Sequence, residues 1–220
     1  MAKKILKRNG KRVAVVRANP QSEQLFFLYQ GNAGMMFLEP SRFISYAKLW
    51  DKNLIMFRDP YRSCYHGQGV DIRAEIEWQR QLRDGCPQVS KFFCTGTSSG
   101  AYAAILFGHY LSADHVVAFA PMTKLNIESM LDDSLMPDKQ IDRSDIPDEH
   151  MDLACLLQDW NGKTKFIVIF SEGHASDRQH AERIAHFPFV KLLPVPGKSH
   201  NPFASINAKR LIEKIFRPAR

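Results

Sequence analysis

The sequence predicts an α/β fold, an open and mostly parallel sheet flanked by helices on both faces. Three observations carry this. Short β-rich runs recur along the chain, at 12–18 (RVAVVRA), 25–31 (LFFLYQG), 53–59 (NLIMFRD), 91–97 (KFFCTGT), 115–121 (HVVAFAP), 165–171 (KFIVIFS) and 189–197 (FVKLLPVPG). Most are apolar almost throughout rather than alternating, which marks strands covered on both faces. Helical patterns lie between them, at 40–49, 72–83, 100–110, 148–157, 177–186 and 202–216, and strand alternating with helix defines the class.

Composition bounds the rest. The 220 residues, 45% apolar and 24% charged, suit one globular domain over 1–220 and exclude a disordered chain, a collagen and a coiled coil. No apolar run approaches the roughly 20 residues that span a bilayer. The start, MAKKILKRNGKRVAVV, is basic but has no A-x-A-like cleavage site, so no signal peptide is expected. Cys64, Cys86, Cys94 and Cys155 show neither C-x-x-C spacing nor the density of a disulfide framework, and a reducing cytoplasm is the expected location.

Charge is uneven. Thirty basic against 23 acidic residues give +7, but nine acids against two bases in 128–152 make that window −7 and leave +14 on the remainder. A basic body either attracts an anionic partner or is a solvated surface. With no aromatic-interleaved basic motif and no zinc-finger spacing, no nucleic-acid partner is expected. The acidic stretch belongs to a longer segment, 122–162, between two strand runs. That exceeds an ordinary crossover and reads as a lid or cap insertion, or else as a long surface loop.

The chemistry begins at Gly96-Thr97-Ser98-Ser99-Gly100, a G-x-S-x-G pattern between a strand run and a helical pattern. A strand that turns sharply into a helix strains the middle residue, and glycines two positions either side remove the side chains that would clash. Gly96 and Gly100 flank Ser98 symmetrically, which selects it as nucleophile and makes the Ser99 N–H the first oxyanion donor. The plain alternative is a Gly/Ser turn in a βα unit. A serine nucleophile needs a base. His200 follows the last strand run, at the end of the sheet where Ser98 should project, with His174 or His180 next in line. The imidazole needs a carboxylate to fix its tautomer. The loop after 165–171 offers Asp177 first and Glu172 second, although Asp177 is also a candidate N-cap. The order serine, acid, histidine is that of the nucleophile-elbow fold. For the second oxyanion donor, the QGNAG turn after 25–31 offers the backbone N–H of Asn32, then Gly31.

Together these residues resemble the α/β-hydrolase superfamily, with GTSSGAYAAILFG after a strand, HVVAFAP on the next, an acid after KFIVIFS and LLPVPGKSHN near the end. The resemblance runs from Leu25 to the C-terminus. It implies the α/β-hydrolase fold with about eight strands, and Ser98, Asp177 and His200 as the triad. Three positions depart from the common pattern. Thr97 stands where many members carry histidine, QGNAG replaces an HGGG-type loop, and Asp177 falls six residues past the strand run. The implied function is a serine hydrolase acting on a carboxylic ester or thioester through an acyl-enzyme on Ser98, with acyltransferase a close variant. Its substrate is a small molecule, anionic if the basic body recruits it. The alternative is a non-catalytic α/β-hydrolase-like binding or scaffold protein.

No cofactor and no metal are expected. There is no phosphate loop, no dinucleotide fingerprint and no H-E-x-x-H, and His174, His180 and His186, six residues apart, scatter around a helix. Asp59 reads as a turn residue and Cys94 as core. The run 35–38 (MMFL) reads as core or an apolar acyl pocket.

Overall fold

The structure of the protein is a computed structural model, which describes residues 2–66, 71–126 and 146–216. Its strands are β1 (Ala2–Arg8), β2 (Lys11–Ala18), β3 (Gln24–Tyr29), β4 (Asn53–Phe57), β5 (Lys91–Thr97), β6 (His115–Phe119), β7 (Lys165–Ser171) and β8 (Val190–Val195). They form one sheet in the order β1-β2-β4-β3-β5-β6-β7-β8. β2 runs antiparallel to β1 and β4, and the other neighbouring pairs are parallel. The chain steps from β3 outward to β4, then returns to place β5 on the other side of β3. That reversal opens a crevice at the carboxyl ends of β3 and β5, where ligands bind in such sheets.

The predicted runs all form strands. β1 is the addition, and its AKKILKR carries too much charge to read as a buried strand. It is held by a hairpin to β2 whose turn residues Asn9 and Gly10 both have positive φ. An Asn-Gly pair is the favoured two-residue hairpin turn, and it is the signal that could have found this strand. β1 and β8 are the sheet edges. Lys4 and Lys7 on β1, and Lys191 and Pro194 on β8, are exposed.

The helices are α1 (Pro40–Tyr46), α2 (Ile72–Asp84), α3 (Ser99–Tyr110), α4 (Asp148–Met151), α5 (Leu153–Leu156), α6 (Ala175–Arg183) and α7 (Ala208–Ile215). Four predicted helices are cut short. The patterns at 40–49 and 177–186 end at Tyr46 and Arg183. The pattern at 148–157 breaks at Asp152, which leaves helical space (φ −134, ψ 104) to cap α5 through Ala154 N–H. The pattern at 202–216 begins only at residue 208, where Asn207 caps Arg210 N–H at 3.0 Å. Upstream of it, Asn201 turns the chain through Phe203 N–H.

α2, α3, α5 and α6 cover one face of the sheet, with Ile76, Leu106, Leu153 and Ala181 in a single core. α1 and α7 cover the other through Phe43 and Ile212. These last two are short. Between them, over Phe26, Phe93, Val117 and Ile167, a cavity of about 710 Å³ remains at the end of the sheet away from the serine. α3 is buried from Ser99 to His109, and it lies so close to the sheet that a Cβ on Gly108 would come within 2.4 Å of Val116 Cγ2.

The two stems of the 122–162 segment pair with each other. Lys124 bridges Asp152, Leu125 N–H bonds the Met151 carbonyl, and Leu125 and Ile146 enter the core. Its acidic middle, 127–145, on which the lid expectation rests, lies outside the described residues. Asp59 is the expected turn residue, accepting Tyr61 N–H at 3.0 Å and Tyr65 N–H at 2.9 Å.

Behind α3 sits a buried polar cluster. Tyr102 Oη donates to the His150 carbonyl at 2.8 Å and meets His66 Nε2 at 2.8 Å. A hydroxyl has one proton, so His66 Nε2 donates and its Nδ1 holds a buried lone pair with no hydrogen-bond partner among the described residues. Burial, and after it the nearness of His150, pushes the His66 pKa down to about 3. The unfolded chain takes this proton near pH 6.5 and the folded chain only near 3, so this contribution to stability is lost as pH falls through that window. The gap in urea midpoint between the wild type and His66→Asn should therefore narrow from pH 7 to pH 4. A constant gap would mean that His66 titrates normally.

Candidate active site

The elbow forms as the sequence implies. Ser98 links β5 to α3 with φ 55 and ψ −122, a conformation that costs a non-glycine residue about 1–3 kcal/mol. Its surroundings hold it there. Ser98 N–H bonds the Phe119 carbonyl at 2.9 Å, and its own carbonyl accepts Ala101 and Tyr102 N–H at 2.9 and 3.1 Å. A Cβ on Gly96 would stand 2.0 Å from the Gly100 carbonyl oxygen, and one on Gly100 would stand 2.2 Å from that of Tyr29. Both glycines are therefore required by backbone-to-backbone approach.

His200 arrives on the loop after β8. Its Nε2 lies 2.9 Å from Ser98 Oγ and its Nδ1 lies 2.8 Å from Asp177 Oδ1. Phe37 packs edge-on against the imidazole, with centroids 5.3 Å apart, and its carbonyl accepts Asn201 Nδ2–H at 3.4 Å. Of the 35–38 run, Met36 is core and Met35 is exposed, while Phe37 supports the histidine.

Asp177 is 3% exposed and stands in the first turn of α6. It does not cap that helix. His174 does, accepting Asp177 N–H at 3.3 Å, and His174 Nδ1 also lies 3.1 Å from Asp177 Oδ1. Histidine is an unusual cap, so sequence reasoning passed over it. Glu172, the second candidate acid, is exposed, and the carboxylate that meets His200 is that of Asp177. His180 is taken up elsewhere, its Nδ1 accepting Thr123 N–H at 3.2 Å, and burial lowers its pKa.

The loop after β3 lies against the elbow. Ser99 Oγ donates to Asn32 Oδ1 at 2.7 Å, which ties the two expected oxyanion residues together. Gly31 corrects the expectation. Its N–H is engaged by the Met35 carbonyl at 2.9 Å, because the loop folds back on itself. Its lack of a side chain serves packing, since a Cβ there would meet the Thr97 carbonyl oxygen at 3.0 Å.

No protein-family model matches the chain, and no curated protein matches it by sequence. Solved structures do match its fold. One is an esterase of Pyrococcus furiosus, 14% identical with a TM-score of 0.63, covering 98% of this chain and 89% of that one. Another is a fluorophosphonate-binding serine hydrolase of Staphylococcus aureus, 16% identical with a TM-score of 0.65, covering 98% and 96%. A third is an α/β-hydrolase enzyme from the metagenome of Lake Arreo, Spain, 13% identical with a TM-score of 0.64, covering 98% and 80%. The chain has the α/β-hydrolase fold.

The elbow glycines make a direct prediction. Gly100→Ala drives a methyl into the Tyr29 carbonyl and should destabilise the fold by the ~1–3 kcal/mol or more of overpacking. Gly85→Ala, at φ −64 with its nearest neighbour at 3.3 Å, should cost far less. Urea denaturation of the two variants makes the comparison, and equal midpoints would contradict it.

Proposed function

We propose that the protein is a serine hydrolase that cleaves a carboxylic ester or thioester through an acyl-enzyme on Ser98. One observation carries this reading. It is the continuous path from Ser98 Oγ through His200 to a buried Asp177, starting from a serine in the elbow conformation.

In this mechanism Ser98 Oγ attacks the carbonyl carbon as His200 Nε2 takes its proton. Asp177 keeps the other ring proton on Nδ1 and stabilises the imidazolium. The oxyanion rests on the backbone N–H groups of Ser99 and Asn32. Ser99 is the first residue of α3, where N–H groups have no partner within the helix and the dipole adds positive charge. His200 then protonates the departing alcohol or thiol, and water enters to repeat the sequence on the acyl-enzyme. An alcohol or amine in place of that water makes the protein an acyltransferase. The +14 outside the acidic segment favours an anionic small molecule, such as a coenzyme A thioester or a phospholipid. The reading treats 1–220 as one domain with a cap at 122–162, supported by stems that pair on the core. Among the described residues no helix is long and apolar enough to cross a membrane.

The binding or scaffold reading predicts a serine that does not react. A fluorophosphonate is the natural probe, since the Staphylococcus aureus neighbour is described as binding one. Intact mass should show one adduct on the wild type and none on Ser98→Ala, whereas an unlabelled wild type would favour the scaffold.

Against a panel of p-nitrophenyl esters and acyl thioesters, Ser98→Ala should lower kcat about 10⁶-fold, with His200→Ala close to it. Asp177→Asn should cost about 10⁴, while Glu172→Gln has little effect. A large loss in Glu172→Gln with a small one in Asp177→Asn would reverse the choice of acid. Ser99→Ala keeps its backbone donor and loses only the tie to Asn32. It should cost less than the roughly 10²–10³ of removing an oxyanion donor.

A further inference from the structure

A second histidine stands against the acid of the site. His174 Nδ1 lies 3.1 Å from Asp177 Oδ1, the same oxygen that His200 Nδ1 meets at 2.8 Å. The two imidazole centroids are 5.6 Å apart. Their side chains are 31% and 41% exposed, so an ion can reach them from solvent. Asp177 is buried, and its Oδ2 has no hydrogen-bond partner among the described residues. Ligand atoms of all three residues lie within 4.8 Å of one another.

Two imidazole nitrogens and a carboxylate are a donor set for zinc-like divalent ions, and oxygen-seeking Mg²⁺ or Ca²⁺ suit it less. Donors bound to one Zn²⁺ at about 2.1 Å stand roughly 3.0–3.4 Å apart. The 2.8 and 3.1 Å distances to Asp177 Oδ1 fall near that range, the three ligand atoms lie within 4.8 Å of one another, and His174 Nδ1 exchanges the Asp177 N–H it accepts for the ion.

We propose that His174, Asp177 and His200 form a site for a divalent transition-metal ion of the zinc type, and that an ion bound there switches the hydrolase off. The inhibitory half rests on the reading of Ser98, His200 and Asp177 as a triad, whereas the binding half does not. A neutral imidazole carries one ring proton. When the ion takes His200 Nδ1, that proton moves to Nε2, the atom facing Ser98 Oγ. A protonated Nε2 cannot accept the hydroxyl proton, so Ser98 stays unactivated. Asp177 meanwhile gives its oxygen to the ion, and a water fills the fourth position. The bound ion thus fixes the tautomer opposite to the one catalysis uses.

The test has two arms, both on tag-free protein stripped with chelator. In the first, Co²⁺ is titrated into Ser98→Ala protein and read by visible absorption, with Zn²⁺ displacing it. One equivalent should bind. His174→Asn, which keeps a good capping residue, should weaken binding at least about 10–100-fold, since even outer-sphere partners carry that much affinity. His200→Gln should weaken it equally and serves as a second variant. No stoichiometric Co²⁺ binding, or unchanged affinity in both variants, overturns the site.

In the second arm, Zn²⁺ is added to wild type and to His174→Asn during ester hydrolysis, each scaled to its own metal-free rate. Zn²⁺ should inhibit the wild type, chelator should restore it, and the half-inhibiting concentration should rise in His174→Asn by the same factor as in the binding arm. Binding through His174 without inhibition overturns the switch. A wild type that hydrolyses no ester at all overturns the functional reading, while the Co²⁺ arm still decides the site.

Discussion

The constraint on which the structure depends is the turn at Ser98. A strand in the middle of the sheet must stop and a helix must start within one residue. The helix must also pass within backbone contact of the strand beside it. Gly100 lies against the carbonyl of Tyr29, and Gly96 lies against Gly100. Because α3 is drawn this close, Ser99 to His109 are all buried, and small residues such as Ala101, Ala103 and Ala104 fill its length. The strain at Ser98 is thus distributed over an apolar helix packed against the sheet. It cannot relax without lifting that helix off the core.

The same turn explains why much of the fold was legible. Strands covered on both faces are apolar throughout, and β3, β5, β6 and β7 are continuous apolar runs for that reason. Ser98, Asp177 and His200 could be singled out because each falls past the carboxyl end of a parallel strand, where chain order constrains position: Ser98 at the turn after β5, Asp177 in the first turn of α6 after β7, and His200 on the loop after β8. Other features left weaker traces. β1 is a charged edge strand supported by its hairpin, and Arg8 is anchored by a 2.7 Å pair with Glu75 that no local pattern announces. The break at Asp152 is a choice between continuing a helix and capping the next one, and propensity alone does not decide it. The commitment of the Gly31 N–H to Met35 depends on how a short loop closes, which composition does not specify. His174 reads from the sequence as a reserve base and not as a cap beside the acid, because its contacts depend on Asp177 three residues on and on His200 twenty-six residues on.

Asp177 shows how one buried group can organise several elements. It sits in the first turn of α6, where a negative charge is favoured by the helix dipole, and its backbone N–H is capped by His174. Its carboxylate meets the loop from β8 through His200. The helix is in turn tied to the stem of the 122–162 segment through His180 and Thr123 and through the Arg183–Asp152 ion pair. Position of the acid, orientation of the imidazole and anchoring of the segment are therefore mechanically connected.

The charged edges of the sheet carry a consequence of their own. A terminal strand presents unpaired amides and carbonyls to any second chain, and proteins guard such edges with lysine and proline. β1 carries exposed Lys4 and Lys7, and β8 carries exposed Lys191 and Pro194. Two copies meeting edge to edge would bring like charges together or meet a residue with no amide to donate. Part of the positive excess thus acts between molecules of the same kind, discouraging them from extending one another's sheets.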